Sequence, residues 1–484
     1  MDLPTSSKSS QKSDTSAHEK DAIEVQLDAS EDPKNMSSLR KWVITLIICS
    51  AAACVTCASS MASLTLTKGI QPEFHIGYEV AVLSISLFVL GISLGPLLLG
   101  PMSEFLGRNG IYRYSYAAFT LLTFPVAFAN NVAVHMIFRF LTGFTGAAFV
   151  SVSGGTMSDM FTNEAVANPM AIFTLSPFFG PVLGPVISGF INQNLNWRWT
   201  YYILIIWCSV EFALLALFVP ETHVPFILKK KAQKLRAETG DPRYFAPLEK
   251  ASKGIGETLK ISCSRPFLLM AYEPMITLLN LWTALILAIV YLTFAAFPII
   301  FGEVHHFNMQ MTGLSFLGIG AGMVCATASQ PIWNAVNRRE MRKYNGTPPP
   351  ESRLYTGMLG GLLVPLGLFW FAFTIYPGIH WIVPIIASAP FGAGIIFVYG
   401  SVWTFLVSTY REHSASVMAS NAFVRCMLCM AFPIIARPMF RRMGNVGAMA
   451  FLAGLTLLMA PLPFFFYKYG PILRKKSRYS SNSL

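Results

Sequence analysis

The residues of this chain able to do chemistry are few, and they stand where charge is costly. Arg139 lies in RFLTGFTG inside a long apolar stretch, followed by Gly143 and Gly146. Arg425 lies in NAFVRC inside another, and Glu211 is the lone acid well inside a third. A charge at hydrocarbon depth costs ~2.5–3.5 kcal/mol or more, so each must face the protein interior and hold a partner. Arg139 and Arg425 read either as carriers of proton or substrate coupling or as ties to backbone carbonyls and polar neighbours. Glu211 reads as a protonation site inside the membrane, or as a paired or interfacial group. His135, one turn before Arg139, reads as a group titrating with it or, the preferred reading, as a near-surface residue. Glu273, in RPFLLMAYEP, is expected to pair locally with Arg265 near the inner surface.

Two glycine-bearing strings add mechanical possibilities. GPMSEFLGRN (Gly100 to Asn109) joins two apolar stretches. Gly100 and Gly107 permit a tight turn, and Glu104 and Arg108 put opposite charges about one helical turn apart, where they can pair. This loop reads as a gate that latches in one conformation, or as a simple solvated turn. SPFFGPVLGPVISG carries two Gly-Pro pairs, Gly180–Pro181 and Gly184–Pro185, with Gly189 beyond them. Proline removes ladder hydrogen bonds and glycine every four residues lets helices approach closely, so this stretch suits a hinge or a seal between two halves. The pairs Cys54/Cys57 and Cys426/Cys429 have C-x-x-C spacing but sit in apolar stretches without a nearby histidine, and read as free thiols. No metal and no cofactor is expected. The chain lacks a G-x-x-x-x-G-K-[ST] phosphate loop and H-E-x-x-H, which argues against an ATP-driven pump or a zinc-dependent membrane hydrolase.

The elements that must position these residues follow from composition. Charged residues make up 12% of the chain, against ~25% in soluble domains, and mean hydropathy is +0.51. Apolar stretches of about 20 residues, enough to cross a ~30 Å hydrocarbon core, recur about twelve times between Trp42 and Tyr467. The net charge of +12 is not a nucleic-acid signature, because the basic residues cluster in loops: Arg40–Lys41, Arg108/Arg113, Lys229 to Arg265, Arg338 to Arg353 and Lys468 to Arg478. With a cytoplasmic N-terminus all of these fall on one side, the positive-inside pattern; Arg437, Arg441 and Arg442 are the exception. The expected organisation is a disordered cytoplasmic tail over 1–39, a six-helix bundle over 40–222, a cytoplasmic linker over 223–264 with an amphipathic helix from Phe226 to Arg236, a second six-helix bundle over 265–467, and a cytoplasmic tail over 468–484. Aligning Pro101 with Pro331 superposes Glu104 on Asn334, Gly107 on Asn337 and Arg108 on Arg338, a trace of duplicated halves. The Asn-x-Ser/Thr sites at Asn35 and Asn345 fall on the inner side, where no glycosylation is expected.

These strings, taken in order, resemble the major facilitator superfamily, and within it the fungal twelve-span drug–proton antiporters, over about Arg40 to Pro471. GPMSEFLGRN is similar to that superfamily's loop motif between spans two and three, with Glu104 in the acidic position. Arg139 with Gly143 is similar to its fourth-span motif, and the Gly-Pro string to its antiporter signature. NWRWTYYI (from Asn196), VPETHVPFIL (from Val219), RPFLLMAYEP (from Arg265) and SASVMASNAFVRC (from Ser414) resemble strings of the fungal group. The resemblance implies an all-α membrane fold of two six-helix bundles, alternating access to a central cavity, and export of drugs, polyamines, organic acids or secondary metabolites driven by entering protons. Where the family often carries an acid in the seventh span, near Phe294–Ala295, this chain has alanine, and where it often has aspartate in the tenth there is Ser408; both weaken the case for a strongly cationic substrate. The expected function is proton-coupled export by a plasma-membrane monomer, with Arg139, Glu211 and Arg425 in coupling and Glu104/Arg108 gating the inner side. Import or uniport on the same fold is the alternative. A sensor or polytopic enzyme ranks last, because the short loops leave no room for a catalytic domain.

Overall fold

The computed structural model describes residues 23–162, 165–250, 255–345, 348–477 and 479. Helices α1 (Ser38–Leu64), α2 (Tyr78–Leu106), α4 (Val132–Met160), α5 (Ala167–Asn194) and α6 (Arg198–Phe218) form the first half together with α3 (Arg108–Ala127). The second half holds α7 (Pro274–Val304), α8 (Met309–Lys343), α9 (Pro350–Ala372) and α10 (Ile382–Thr409), followed by one apolar helical stretch, Ser414–Lys475. Gly444, at φ 71° and ψ 166°, divides that stretch into α11 (414–443) and α12. The chain thus has twelve membrane-length helices among its described residues. Their ends follow local chemistry. Ser37, Asn131 and Asn308 cap α1, α4 and α8 by accepting from the backbone N–H groups of Arg40, Ala133 and Met311, groups that have no partner inside a helix.

Lipid offers no hydrophobic drive for helix association, so close backbone packing has to supply it. Glycines do this in the same way twice. A Cβ on Gly91 of α2 would strike Phe140 O of α4, and one on Gly143 of α4 would strike Phe88 O of α2. In the second half a Cβ on Gly322 of α8 would strike Ala389 O of α10, and one on Gly392 of α10 would strike Ile319 O of α8. This recurrence is the spatial form of the internal repeat. Its register differs by one residue from the Pro101–Pro331 alignment, and α8, unlike α2, is interrupted between the two positions, at Ser329.

The expected domain boundaries need correction at three places. Residues 23–39, expected to be disordered, are docked: β1 (Ile23–Glu24) pairs in parallel with β2 (Tyr244–Phe245) of the linker, and Val25 is buried with Ala232 and Ala246. Lys231, on the linker helix Val224–Thr239, is held by Asp28 at 2.5 Å and Glu31 at 2.7 Å. A charged tail orders here because its alternating apolar and acidic residues meet a complementary helix. Residues 1–22 lie outside the described residues. The boundary at 264/265 falls within one helix, Ile255–Tyr272, which touches both halves through Cys263 on Leu97 O and Phe267 on Phe423. The C-terminal tail begins as helix, Leu462–Lys476, and is tied back where Arg474 grips buried Glu351 with two hydrogen bonds, 2.9 and 3.2 Å.

The docked segment is testable. The Lys231 hydrogen bond, then its charge, holds Asp28 below its usual pKa, and the two carboxylates hold Lys231 above its own. The clamp is therefore complete between those titrations, loosening as pH falls through the lowered Asp28 value or rises through the raised Lys231 value. Lys231→Glu should make cleavage between residues 23 and 35 several-fold faster in limited proteolysis of the purified protein at pH 7, without changing its detergent elution volume; unchanged protection would show that the strand pairing holds the segment unaided.

Candidate functional site

A cavity of about 1600 Å³ lies between the two halves. Its wall is made by the ends of α2, α4, α5, α8, α10 and α11 that carry the Gly100–Asn109 loop, the Arg338 segment and Arg411. The exposed residues Glu104, Arg338 and Arg411 mark its mouth, and Ile92, Ile396 and Arg425 its deep end. At 1.5 Å per residue, those positions stand roughly 18–22 Å apart along their helices, about two-thirds of a hydrocarbon core.

The opposite end is closed. A Cβ on Gly189 of α5 would stand 2.6 Å from Met309 O, and one on Gly313 of α8 would meet Pro185 O, so α5 and α8 touch backbone to backbone across the halves. Gln193 accepts from Met309 N at 3.2 Å beside them. Ser86 and Ser93 of α2 donate to Met430 O and Phe423 O of α11, at 2.8 and 3.3 Å. Ser59 of α1 and Tyr291 of α7 share a hydrogen bond at 2.9 Å. The molecule is open on one side and sealed on the other.

The Gly-Pro string divides its work in a way that its spacing did not indicate. α5 runs through Pro177, Pro181 and Pro185 as one helix. Gly180 and Gly184 face α1 of their own half, against Ala53 O, Thr56, Cys57 O and Ser60; of the string's glycines Gly189 is the one that reaches the other half, beside the carbonyl of Pro185.

The loop pairing is corrected outright. Glu104 and Arg108 do not pair, because Gly107, at φ 80° and ψ 160°, ends α2 and starts α3 in a new direction. Arg108 reaches Asp159 of α4 at 3.3 Å and donates to Ser103 at 2.6 Å. Glu221, after α6, caps the new helix by accepting from the N–H groups of Arg108 and Asn109 at 2.9 and 3.2 Å. A side chain at Gly107 would meet that carboxylate and Phe226, so only glycine fits. Glu104 is exposed at the mouth and makes no ion pair among the described residues. Its repeat counterpart, Asn334, donates to Asn168 of α5 at 3.1 Å. Gly100, beside the mouth, has open space around it.

Arg139 is fully buried and takes backbone partners. It donates to Ser84 O at 2.8 Å, Ala58 O at 3.0 Å and Ser59 O at 3.4 Å, and lies 4.4 Å from the Phe88 ring. It does not line the cavity. His135, expected near the surface, is buried instead, against Ser84 at 3.0 Å and among Phe74, Trp197 and Tyr201. Glu211 is buried within the first half, where Ser50 and Trp207 donate to its Oε1 and its Oε2 has no partner. Glu273 accepts from Tyr410 at 3.1 Å and Ser477 at 2.8 Å, while Arg265 makes no ion pair among the described residues. Cys54 faces Cys208 of α6 at 3.7 Å, and Cys57 is a buried free thiol.

Arg425 is the one of the three buried charges in contact with the cavity. Its guanidinium stands 5.4 Å from the Trp403 ring, 5.7 Å from Tyr399 and 6.0 Å from Phe178. This aromatic box is fixed by a polar network that the sequence reading missed. Trp403 Nε1 donates to Asn421 (3.0 Å), and Asn421 donates to Asn280 (3.0 Å) and Thr283 (2.8 Å). Asn280 donates to Ser420 (3.0 Å), and Tyr399 donates to Thr283 O (2.5 Å). Two asparagines inside apolar spans, Asn280 and Asn421, were the available signal.

Comparison with known proteins places this geometry. A profile of the Major Facilitator Superfamily matches residues 48–433. The efflux pump atB of Aspergillus terreus is 42% identical over 459 residues, covering 94% of this chain and 88% of the pump. The "Probable drug/proton antiporter YHK8" of Saccharomyces cerevisiae is 37% identical, covering 96% and 90%. The multidrug transporter mdrA of Aspergillus fumigatus is 38% identical, covering 93% and 75%. In fold, the proton:xylose symporter XylE superposes with a TM-score of 0.65 at 15% identity over 90% of this chain and 96% of that one.

Proposed function

This chain belongs to the Major Facilitator Superfamily and is a multi-pass membrane transporter rather than an enzyme, and on that premise we propose that it exports small organic molecules in exchange for entering protons. The observation that carries the mechanism is the one-sided cavity. Substrate enters at the Glu104–Arg338 mouth and reaches the Arg425 box. The α5–α8 and α2–α11 contacts then part while the mouth closes, which is alternating access by rocking of two halves around a fixed site. The basic loops lie on the mouth side, so the positive-inside rule supports a cytoplasmic mouth with both termini cytoplasmic. Efflux and antiport in the relatives' names support the direction and the coupling. The proposed setting is the plasma membrane, and the proposed unit a monomer.

Glu211 is the proposed proton-coupling carboxyl. It is the carboxylate deepest inside a spanning helix among the described residues, and it has no cationic partner. Arg139 supports that role by holding α1, which carries Ser50 against Glu211, to α2 and α4. Glu104 and Arg108 are proposed to act in gating separately: Glu104 at the mouth, Arg108 through Asp159.

The test is efflux from cells loaded with a fluorescent organic dye, ATP held constant. Collapse of the proton gradient by a protonophore should stop the efflux that depends on this protein. Efflux that continues unchanged would reject coupling, and gradient-independent equilibration would favour the uniport alternative.

A further inference from the structure

We propose that the cavity selects organic anions, specifically aromatic monocarboxylates, with the carboxylate on Arg425 and the ring against Trp403, the member of the aromatic box that lines the cavity. The proposal rests on the exporter reading of this same cavity and names its substrate class.

Three observations carry it. First, Arg425 is 5% exposed and contacts the cavity, yet its Nε has no hydrogen-bond acceptor, and no carboxylate is within ion-pair distance among the described residues. Arg139 makes the contrast: its guanidinium is met by three carbonyls. A buried guanidinium N–H without an acceptor is costly, and the planar fork fits a carboxylate with two parallel hydrogen bonds. Second, among the described residues the deep end holds no acid. Their charged lining is five arginines, Arg425 deep and the rest toward the mouth, against Glu104 and Glu340, both outside the deep end. An organic cation would meet a like charge there, with no counter-ion. Third, the aromatic rings flank the guanidinium on a rigid support, since Trp403 and Tyr399 are each hydrogen-bonded. A ligand ring with an attached carboxylate meets Trp403 and the Arg425 guanidinium together, whereas an aliphatic anion uses only the second.

The experiment is equilibrium binding to the purified full-length protein in detergent with three matched probes: 2-naphthoate, 2-naphthamide and 2-naphthylmethylammonium. A charge-assisted bidentate contact in place of a neutral one predicts that naphthoate binds at least about tenfold tighter than the amide, with the ammonium weakest. Arg425→Gln should bring naphthoate to the affinity of the amide while amide binding stays within about twofold, which also reports that the variant is folded. Should that variant fail to fold, the wild-type ranking decides alone. Equal affinities, an ammonium that binds best, no naphthoate binding at millimolar concentration, or a carboxylate preference that survives Arg425→Gln each overturns the proposal. Binding in detergent involves neither direction nor a gradient. A carboxylate-selective site in a protein that fails the protonophore test would keep this inference and remove the coupling; coupled efflux without carboxylate preference would do the reverse.

Discussion

Gly313→Leu is expected to abolish transport while leaving both bundles folded. A Cβ at this position would run into Pro185 O, with Val186 Cα 3.3 Å away; these are backbone atoms of α5 and have no rotamer by which to give way. The contact joins the two halves, so the added bulk acts on the sealed end and not on the core of either bundle. Overpacking costs about 1–3 kcal/mol, which shifts the balance between the mouth-open state and its opposite by about 5- to 150-fold. The check is disulfide formation between cysteines introduced at Gln193 and Met309, in a background without the native cysteines. These residues are hydrogen-bonded across the seal. Cross-linking should fall sharply in Gly313→Leu. Gly322→Leu is the control: its added carbon would strike Ala389 O within the second half, so the yield of folded protein should drop instead. Wild-type transport by Gly313→Leu would show that the seal does not depend on this contact.

Arg139→Ala should likewise remove transport, for a different reason. The guanidinium binds α1 at Ala58 and Ser59 and α2 at Ser84, all from α4. Hydrogen bonds from a charged donor are worth about 1.5–3 kcal/mol each, and their loss leaves buried acceptors underused. The effect reaches beyond the first half because Ser59 bonds Tyr291 of α7. Release of α1 therefore loosens the seal and displaces Ser50 from Glu211 together. The expected result is insertion into the membrane with lowered thermal stability and efflux reduced at least about a hundredfold, the outcome of losing two such bonds. Arg139→Lys should fail as well, since one ammonium cannot span the three carbonyls that a planar fork meets. Normal efflux from Arg139→Ala would refute this role.

Much of this fold was legible before any coordinates. The apolar lengths gave twelve spans, although α3 carries Arg108 and Arg113 in its first turns and is the least apolar of them. Of the two glycines read as turn formers, Gly107 ends α2 while Gly100 lies inside that helix, and the repeat read at Pro101 and Pro331 is one residue out of the register in which the halves pack. The partners of the charged residues were not legible. Helical spacing pointed from Arg108 to Glu104, but a positive φ between them cancelled that geometry, and the true partners, Asp159 and Glu221, lie 51 and 113 residues away. Glu273 showed the same failure: its neighbour in sequence, Arg265, lost to Tyr410 and Ser477. Three buried charges looked alike in sequence, yet one binds carbonyls, one faces hydroxyl and indole donors, and one stands open to the cavity.

The chain by itself determined where it crosses lipid, how it divides into two related bundles and which residues are costly enough to need a role. Those properties come from local composition, because hydrocarbon penalises charge and unpaired backbone wherever they occur along the chain. Tertiary structure alone decided which glycines seal the halves, which carbonyls hold Arg139 and why Arg425 Nε is left without an acceptor. Those outcomes depend on which faces of distant helices meet, and a helix turns its residues by ~100° each, so a shift of one position, as in the register of the two halves, exchanges one partner for another.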